Sequence, residues 1–261
     1  MGIVNMTPDS FSKDGLETNV DKAMRQIERF IKEGVDIIDI GGESTRPGHQ
    51  TVSESEELDR VLPLIQKART QWEIPLSIDT TKAKVAQIAL DAGVDMINDI
   101  WGTEPNNPRM KVAAAYGVPI ILMHNRTSTA YPDLISTILK EMDEMVGQAE
   151  QAGIASDHVI IDPGIGFGKT PEQNIIVLQE LKKMHRWDLP VLLGASRKSV
   201  VGYMLDLPVE DRLEGTLGIH AWGIVTGMDI LRVHDVKETK RMIRVLDRLT
   251  QRKKGEQDYH G

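Results

Sequence analysis

Apolar residues along the chain follow two alternating patterns. Short continuous runs occupy residues 2–6, 35–40, 76–79, 94–100, 118–124, 158–162, 191–195 and 229–233. Continuous rather than alternating hydrophobicity predicts strands buried on both faces of a parallel sheet. Between the runs, apolar side chains recur at helical spacing, as in Val20, Ala23, Met24, Ile27, Phe30 and Ile31. Asn19 is the expected N-cap of that helix and Gly34 lies just past its end. Ser53 with Glu56, and Thr170-Pro171-Glu172-Gln173, read as capping boxes opening two further helices.

An internal repeat makes the alternation regular. Gly34-Val35-Asp36-Ile37-Ile38-Asp39, Gly93-Val94-Asp95-Met96-Ile97-Asn98 and Gly227-Met228-Asp229-Ile230-Leu231-Arg232 share one phrase, with a degraded copy at Gly117-Val118-Pro119-Ile120-Ile121. Each glycine can end a helix in the left-handed conformation before the chain enters a strand. Eight such units predict an α/β fold, a (β/α)8 TIM barrel. An open doubly wound sheet is the structural alternative. Neither a linker nor a composition shift divides residues 1–261, so a single domain with a short polar tail at about 251–261 is expected.

In such barrels the loops after the strand C-termini build the active face. Here those ends are polar: Asn5, then Gly41 to Gly48, Asp79, Asn98-Asp99, His124-Asn125-Arg126, Asp162-Pro163-Gly164, Ser196-Arg197-Lys198-Ser199 and Arg232-Val233-His234-Asp235. Any one of them is ordinarily a turn former or a helix cap. Eight at one rim combine acceptors (Asp79, Asn98, Asp162) with cations (Arg46, Lys198, Arg232, His234). That mixture suits a ligand with a flat donor-rich ring at one end and phosphate or carboxylate at the other.

Composition narrows the classes. With 31 basic and 39 acidic side chains the net charge is −8, which argues against a nucleic-acid binder. The absence of cysteine removes thiol nucleophiles and thiolate metal sites and suits a reducing compartment, with the cytoplasm as the default expectation. The longest apolar run, 118–123, is far short of the ~20 residues of a membrane span, so no membrane partner is expected. Residues 164–170 mimic a P-loop, but Pro163 stands where that motif needs glycine. Gly194-Ala195-Ser196-Arg197-Lys198 is not a nucleophile elbow, and no histidine pair has zinc spacing. A hard cation such as Mg²⁺ remains open, because one or two oxygens and a diphosphate can hold it.

Taken together, residues 1–12 (MGIVNMTPDSFS), 41–48 (GGESTRPG), Ser77-Ile78-Asp79-Thr80, Asn98-Asp99-Ile100, Leu122-Met123-His124, 162–169 (DPGIGFGK), Ser196-Arg197-Lys198 and Arg232-Val233-His234-Asp235 closely resemble the bacterial dihydropteroate synthases, a family of pterin-binding TIM barrels. The resemblance implies condensation of 6-hydroxymethyl-7,8-dihydropterin diphosphate with 4-aminobenzoate, Mg²⁺ as cofactor, a homodimer and sensitivity to sulfonamides. It assigns Asp79, Asn98, Asp162 and Lys198 to the pterin, with Met123, Ile100 and Phe167 as apolar walls. Asn5, Arg232 and His234 would hold diphosphate, Asn5 together with the metal. Phe11, Thr45, Arg46, Pro47 and Ser199 would receive the aminobenzoate. Asp79, Lys198 and Arg232 would carry catalysis. The first loop departs from the family's SFSDGG by placing Lys13 at the usual acid and Asp14 one place on. Relatives also commonly carry a short segment ahead of the first strand that is missing here, so the expectation is either a less covered barrel bottom or a truncated chain. A pterin-dependent corrinoid methyltransferase and a non-catalytic pterin-binding barrel are the alternative readings.

Overall fold

Every run singled out by its continuous hydrophobicity contains a strand, and each is parallel to its neighbours. A computed structural model describes residues 1–7, 16–43 and 51–250. The strands are β1 (Gly2–Asn5), β2 (Ile38–Gly41), β3 (Leu76–Asp79), β4 (Met96–Asp99), β5 (Ile120–Met123), β6 (Val159–Asp162), β7 (Leu192–Leu193) and β8 (Ile230–Leu231). They alternate with α1 (Leu16–Lys32), α2 (Glu54–Arg69), α3 (Ala83–Asp91), α4 (Pro108–Tyr116), α5 (Leu134–Gln151), α6 (Pro171–Gln179), α7 (Ser199–Leu205), α8 (Leu213–Thr226) and α9 (Val236–Thr250). The first six strands pair in chain order and β7 pairs with β8. Single bridges, Ile161 to Val191 and Gly2 to Val233, join these two sets. At the second seam Ile3 N donates to Val233 O (3.0 Å) and Val233 N to Met1 O (2.9 Å). The sheet is therefore closed into the expected barrel.

The repeat's glycines do what the phrase requires. Gly34, Gly93, Gly117 and Gly227 have φ of 87°, 104°, 63° and 111°, a region other residues enter only under strain. These turns absorb the first residues of the apolar runs, so β2 begins at Ile38 and β4 at Met96. The Thr170–Gln173 capping box is complete: Thr170 N donates to Gln173 Oε1 (2.9 Å) and Gln173 N to Thr170 Oγ1 (3.2 Å). Ser53 caps α2 by accepting from Glu56 N (3.2 Å), but Glu56 turns its carboxylate to Arg60 (2.5 Å) instead of completing a box. Asn19 is not an N-cap. Helix α1 starts at Leu16 and carries Asn19 within its first turn, because Leu16 and Glu17 are good helix formers that extend it backwards.

Two apolar cores result from strand alternation. Outward residues such as Ile38, Ile40, Ile78, Ile97 and Ile161 pack with Ile27, Phe30, Leu64 and Ile65 of the helices. Inward residues Met1, Met96, Ile121, Ile160 and Leu192 plug the lower barrel. Each such side chain stabilises by roughly 1.5–3 kcal/mol when fully buried. The upper inward positions are polar, and they form the site.

Candidate active site

Strand alternation sends Asp39, Asp79, Asn98, Asp162 and Arg232 into the upper barrel, above the apolar plug. Arg232 Nε donates to Asp39 Oδ2 (2.6 Å) and its Nη2 to Asp79 Oδ2 (2.6 Å). Asn98 Nδ2 also donates to Asp39 Oδ2 (3.0 Å). The remaining oxygens, Asp39 Oδ1 and Asp79 Oδ1, are buried without a protein partner. Burying an acceptor unpaired costs about 1–3 kcal/mol. This fold therefore maintains acceptors that a donor-bearing ligand can satisfy.

Electrostatics follow from this burial. Desolvation pushes Asp79 up to about 7, against the pull of Arg232. Burial opposes the charge of Arg232, yet Asp39 and Asp79 outweigh it and hold its pKa above the ordinary guanidinium value. Asp162 is also raised by burial, with Lys198 and the Gly164 N–H (2.7 Å) opposing the shift. Lys198 is lowered to about 8 by burial. Its Nζ donates to Ile165 O (2.5 Å) and lies 4.6 Å from the centre of the Phe167 ring.

Two glycines keep the mouth open. A Cβ at Gly194 would lie 3.6 Å from Asp162 Oδ2 and 3.7 Å from Lys198 Nζ. One at Gly41 would lie 3.4 Å from Asn5 Oδ1 and 3.7 Å from Asp79 Oδ2. Asn5 thus shares a cradle with Asp79, and its amide oxygen is the donor type a hard cation takes. Among the described residues no three His or carboxylate groups cluster as a metal cage, so a cation here would need oxygens from its ligand.

The β7 and β8 loops are tied together. Arg197, held in the left-handed region (φ 55°), forks onto both oxygens of Asp235 at 2.8 Å. The same register brings Ser196 Oγ within 3.0 Å of His234 Nδ1. Met123 and Ile100 are buried but belong to neither apolar core. Ser199 is exposed at the start of α7. Phe11, Thr45, Arg46 and Pro47, with Lys13 and Asp14, lie outside the described residues. The described stem of the β2 loop is anchored: Lys82 Nζ bonds Glu43 and Glu57 Oε2 (2.6 Å), and Arg60 Nη1 donates to Gly42 O (2.7 Å).

Sequence reasoning missed Asp39, which lies inside an apolar phrase. The repeat held the signal, since its three intact copies end in Asp39, Asn98 and Arg232, and these three side chains meet in the barrel. It also left His124 and Lys169 without roles; both are buried behind the β6 loop.

Comparison with known proteins agrees with this geometry. The family model described as pterin binding enzyme matches residues 1–234. A dihydropteroate synthase of Clostridium beijerinckii is 48% identical over 253 residues, covering 97% of this chain and 94% of the relative. Among solved structures, the dihydropteroate synthase of Clostridium difficile obtained in the presence of pteroic acid superposes with a TM-score of 0.93 at 44% identity, covering 95% of each chain. That of Xanthomonas albilineans with 4-aminobenzoic acid gives 0.91 at 39% identity, covering 96% of this chain and 92% of the other. A barrel whose inner acceptors surround Lys198 and Arg232, matched along nearly its whole length, belongs to the dihydropteroate synthases of the pterin binding enzyme family.

Proposed function

We propose that the barrel mouth joins 6-hydroxymethyl-7,8-dihydropterin diphosphate to 4-aminobenzoate, yielding 7,8-dihydropteroate and diphosphate. The observation that carries this reading is the pair of buried, unpartnered carboxylate oxygens of Asp39 and Asp79 beside Asn98 and Asp162. The amino-pyrimidinone edge of a pterin presents adjacent N–H donors, which carboxylates accept well. Asp162 and Asn98 read that edge, Asp79 accepts from a ring N–H, and Lys198 reaches the ring carbonyl or N5. Met123, Ile100 and Phe167 enclose the ring.

The reaction begins with departure of diphosphate, whose oxygen keeps the bonding pair of the C–O bond. Arg232 and His234 neutralise its charge. Asn5 would hold Mg²⁺ with the diphosphate oxygens, and the bound ion would offset leaving-group charge. The Asp79 carboxylate stabilises the pterin-methylene cation that remains. The aniline nitrogen then forms the C–N bond with its lone pair and releases a proton afterwards. An aniline is already unprotonated at neutral pH, so positioning by Ser199 and by the loops containing Phe11, Thr45, Arg46 and Pro47 matters more than a strong base.

A second copy of the chain would cover the apolar face of α7 and α8, where Tyr203, Leu205 and Val225 are about half exposed. No described helix is long and apolar enough to cross a membrane. A cysteine-free chain is compatible with a reducing cytoplasm.

The test mixes protein, Mg²⁺ and the pterin diphosphate and follows diphosphate release with and without 4-aminobenzoate. With 4-aminobenzoate present, release should match dihydropteroate formation mole for mole. Release in its presence with no dihydropteroate would refute the reading.

A further inference from the structure

The DPGIGFGK loop after β6 is clamped from two sides. From the mouth, Lys198 Nζ bonds Ile165 O. From behind, the buried Lys169 Nζ donates to Gly164 O (3.0 Å) and Phe167 O (3.1 Å) and contacts His124 Nδ1 (3.1 Å). Burial lowers Lys169 to about 7, but three acceptors surround its Nζ and match the three donors of the charged form. His124 Nε2 in turn lies 2.9 Å from Glu141 Oε2 on α5. A proton on Nε2 donates to Glu141 and leaves Nδ1 as the acceptor Lys169 needs. Burial lowers His124 to about 4, which keeps the ring neutral.

The two carbonyls Lys169 grips bracket the turn that faces the ligand. Gly164 N bonds Asp162 Oδ1, and Phe167 offers its ring beneath Lys198. The turn has little alternative shape: Gly164 (φ 69°) packs so closely on the His124 carbonyl that a side chain there would collide. Asn174 accepts from Gly166 N (2.7 Å) and fixes its middle.

We propose that Lys169 is a positioning residue of the pterin half of the site, its ammonium holding the 164–167 turn so that the Asp162 carboxylate and Phe167 ring meet the ligand, with His124 and Glu141 as its support. The proposal rests on the pterin reading of the mouth. Lys169 touches no reacting atom, so its effect should be selective.

Lys169→Met preserves length and removes the donors. Its affinity for pteroate, measured by calorimetry, and its KM for the pterin diphosphate should worsen roughly tenfold, while kcat and the KM for 4-aminobenzoate stay within about twofold. Glu141→Gln, at the partly exposed end of the chain of contacts, should weaken pteroate roughly two- to threefold at an unchanged melting temperature. Unchanged pteroate affinity in folded Lys169→Met overturns the proposal, as do equal losses for both substrates. If Lys169→Met does not fold, Glu141→Gln decides, and wild-type pteroate affinity there overturns it. Failure of the wild-type protein itself to bind pteroate would remove the pterin reading along with the proposal.

Discussion

Asn98 and Asp99 are neighbours on β4, and alternation turns one into the barrel and the other out towards α4. Each joins a cluster that contains an arginine and carboxylates, yet the two clusters are built differently. Outside, Asp99 Oδ1 accepts from Trp101 N (2.9 Å) and Oδ2 from Asn107 Nδ2 (2.5 Å). Arg109 Nε lies 2.9 Å from Asp99 as an ion-pair contact rather than an aligned hydrogen bond. Its other nitrogens donate to Thr81 O (2.8 Å), Trp101 O (3.2 Å) and Glu104 (2.6 Å). Both oxygens of Asp99 are thus used, and the cluster fastens the β4 loop to the start of α4. Inside, Asp39 and Asp79 each keep one oxygen unpaired. The same residue types close a structural cluster where the acceptors are consumed and leave acceptors open to a ligand where some are left over.

Four substitutions test that contrast. The largest effect is expected for Asp162→Ala, which removes a charged acceptor for ring donors. With two charged hydrogen bonds lost at about 1.5–3 kcal/mol each, pteroate affinity should fall by roughly 10²–10⁴ with melting little changed. Calorimetric binding within tenfold of wild type would contradict the assignment. Arg109→Met should do the opposite. Leaving Asp99 buried without its counter-charge should cost about 3–5 kcal/mol in urea unfolding while the folded fraction still binds pteroate normally.

Asp79→Asn comes next and turns on sign. The folded protein holds the Asp79 proton up to about pH 7, whereas the unfolded chain releases it near 3.8. The stability this proton gives is complete below pH 3.8 and is lost as pH rises through about 7. The substitution should therefore abolish activity yet gain stability over wild type across that window, by up to about 1.4 kcal/mol per pH unit. Denaturation at pH 4.5 and 8 reads the difference, and a gap independent of pH would count against it.

The smallest effect probes an incomplete polar group outside the mouth. His220 on α8 is buried with neither ring nitrogen hydrogen-bonded, and desolvation lowers it to about 4. It should destabilise the fold as pH drops from 6.5 to 4, because the unfolded chain takes up the proton first. His220→Leu should gain about 1 kcal/mol at pH 7 and more at pH 5, without altering pteroate affinity. Loss of binding in that variant would mean that unpaired groups elsewhere also matter to the ligand.

Much of this was legible in the chain. The eight strands follow from apolar continuity, and the helix ends follow from the repeat's glycines. The rim polars Asp79, Asn98, Asp162, Lys198 and Arg232 follow from strand ends. Partnership was not legible. Asn98 and Asp99 look alike as adjacent polar residues, and only the pleat separates their roles. Arg232 reads as a rim cation, but nothing in the chain shows that barrel closure also sets it against two carboxylates. Asn19 misled because the helix formers Leu16 and Glu17 carry the helix past it, so it sits inside the first turn.

The Asp39–Arg232 pair joins residues 193 positions apart, across a seam where β8 meets β1 through a single bridge. Without the last strand Asp39 and Asp79 would have no arginine between them, and the cost of desolvating them would oppose the collapse that buries them. Arrival of β8 reverses that sign. Arg232 therefore doubles as a latch on the fold: the buried polar cluster at the mouth and the closed barrel depend on the same long-range contact.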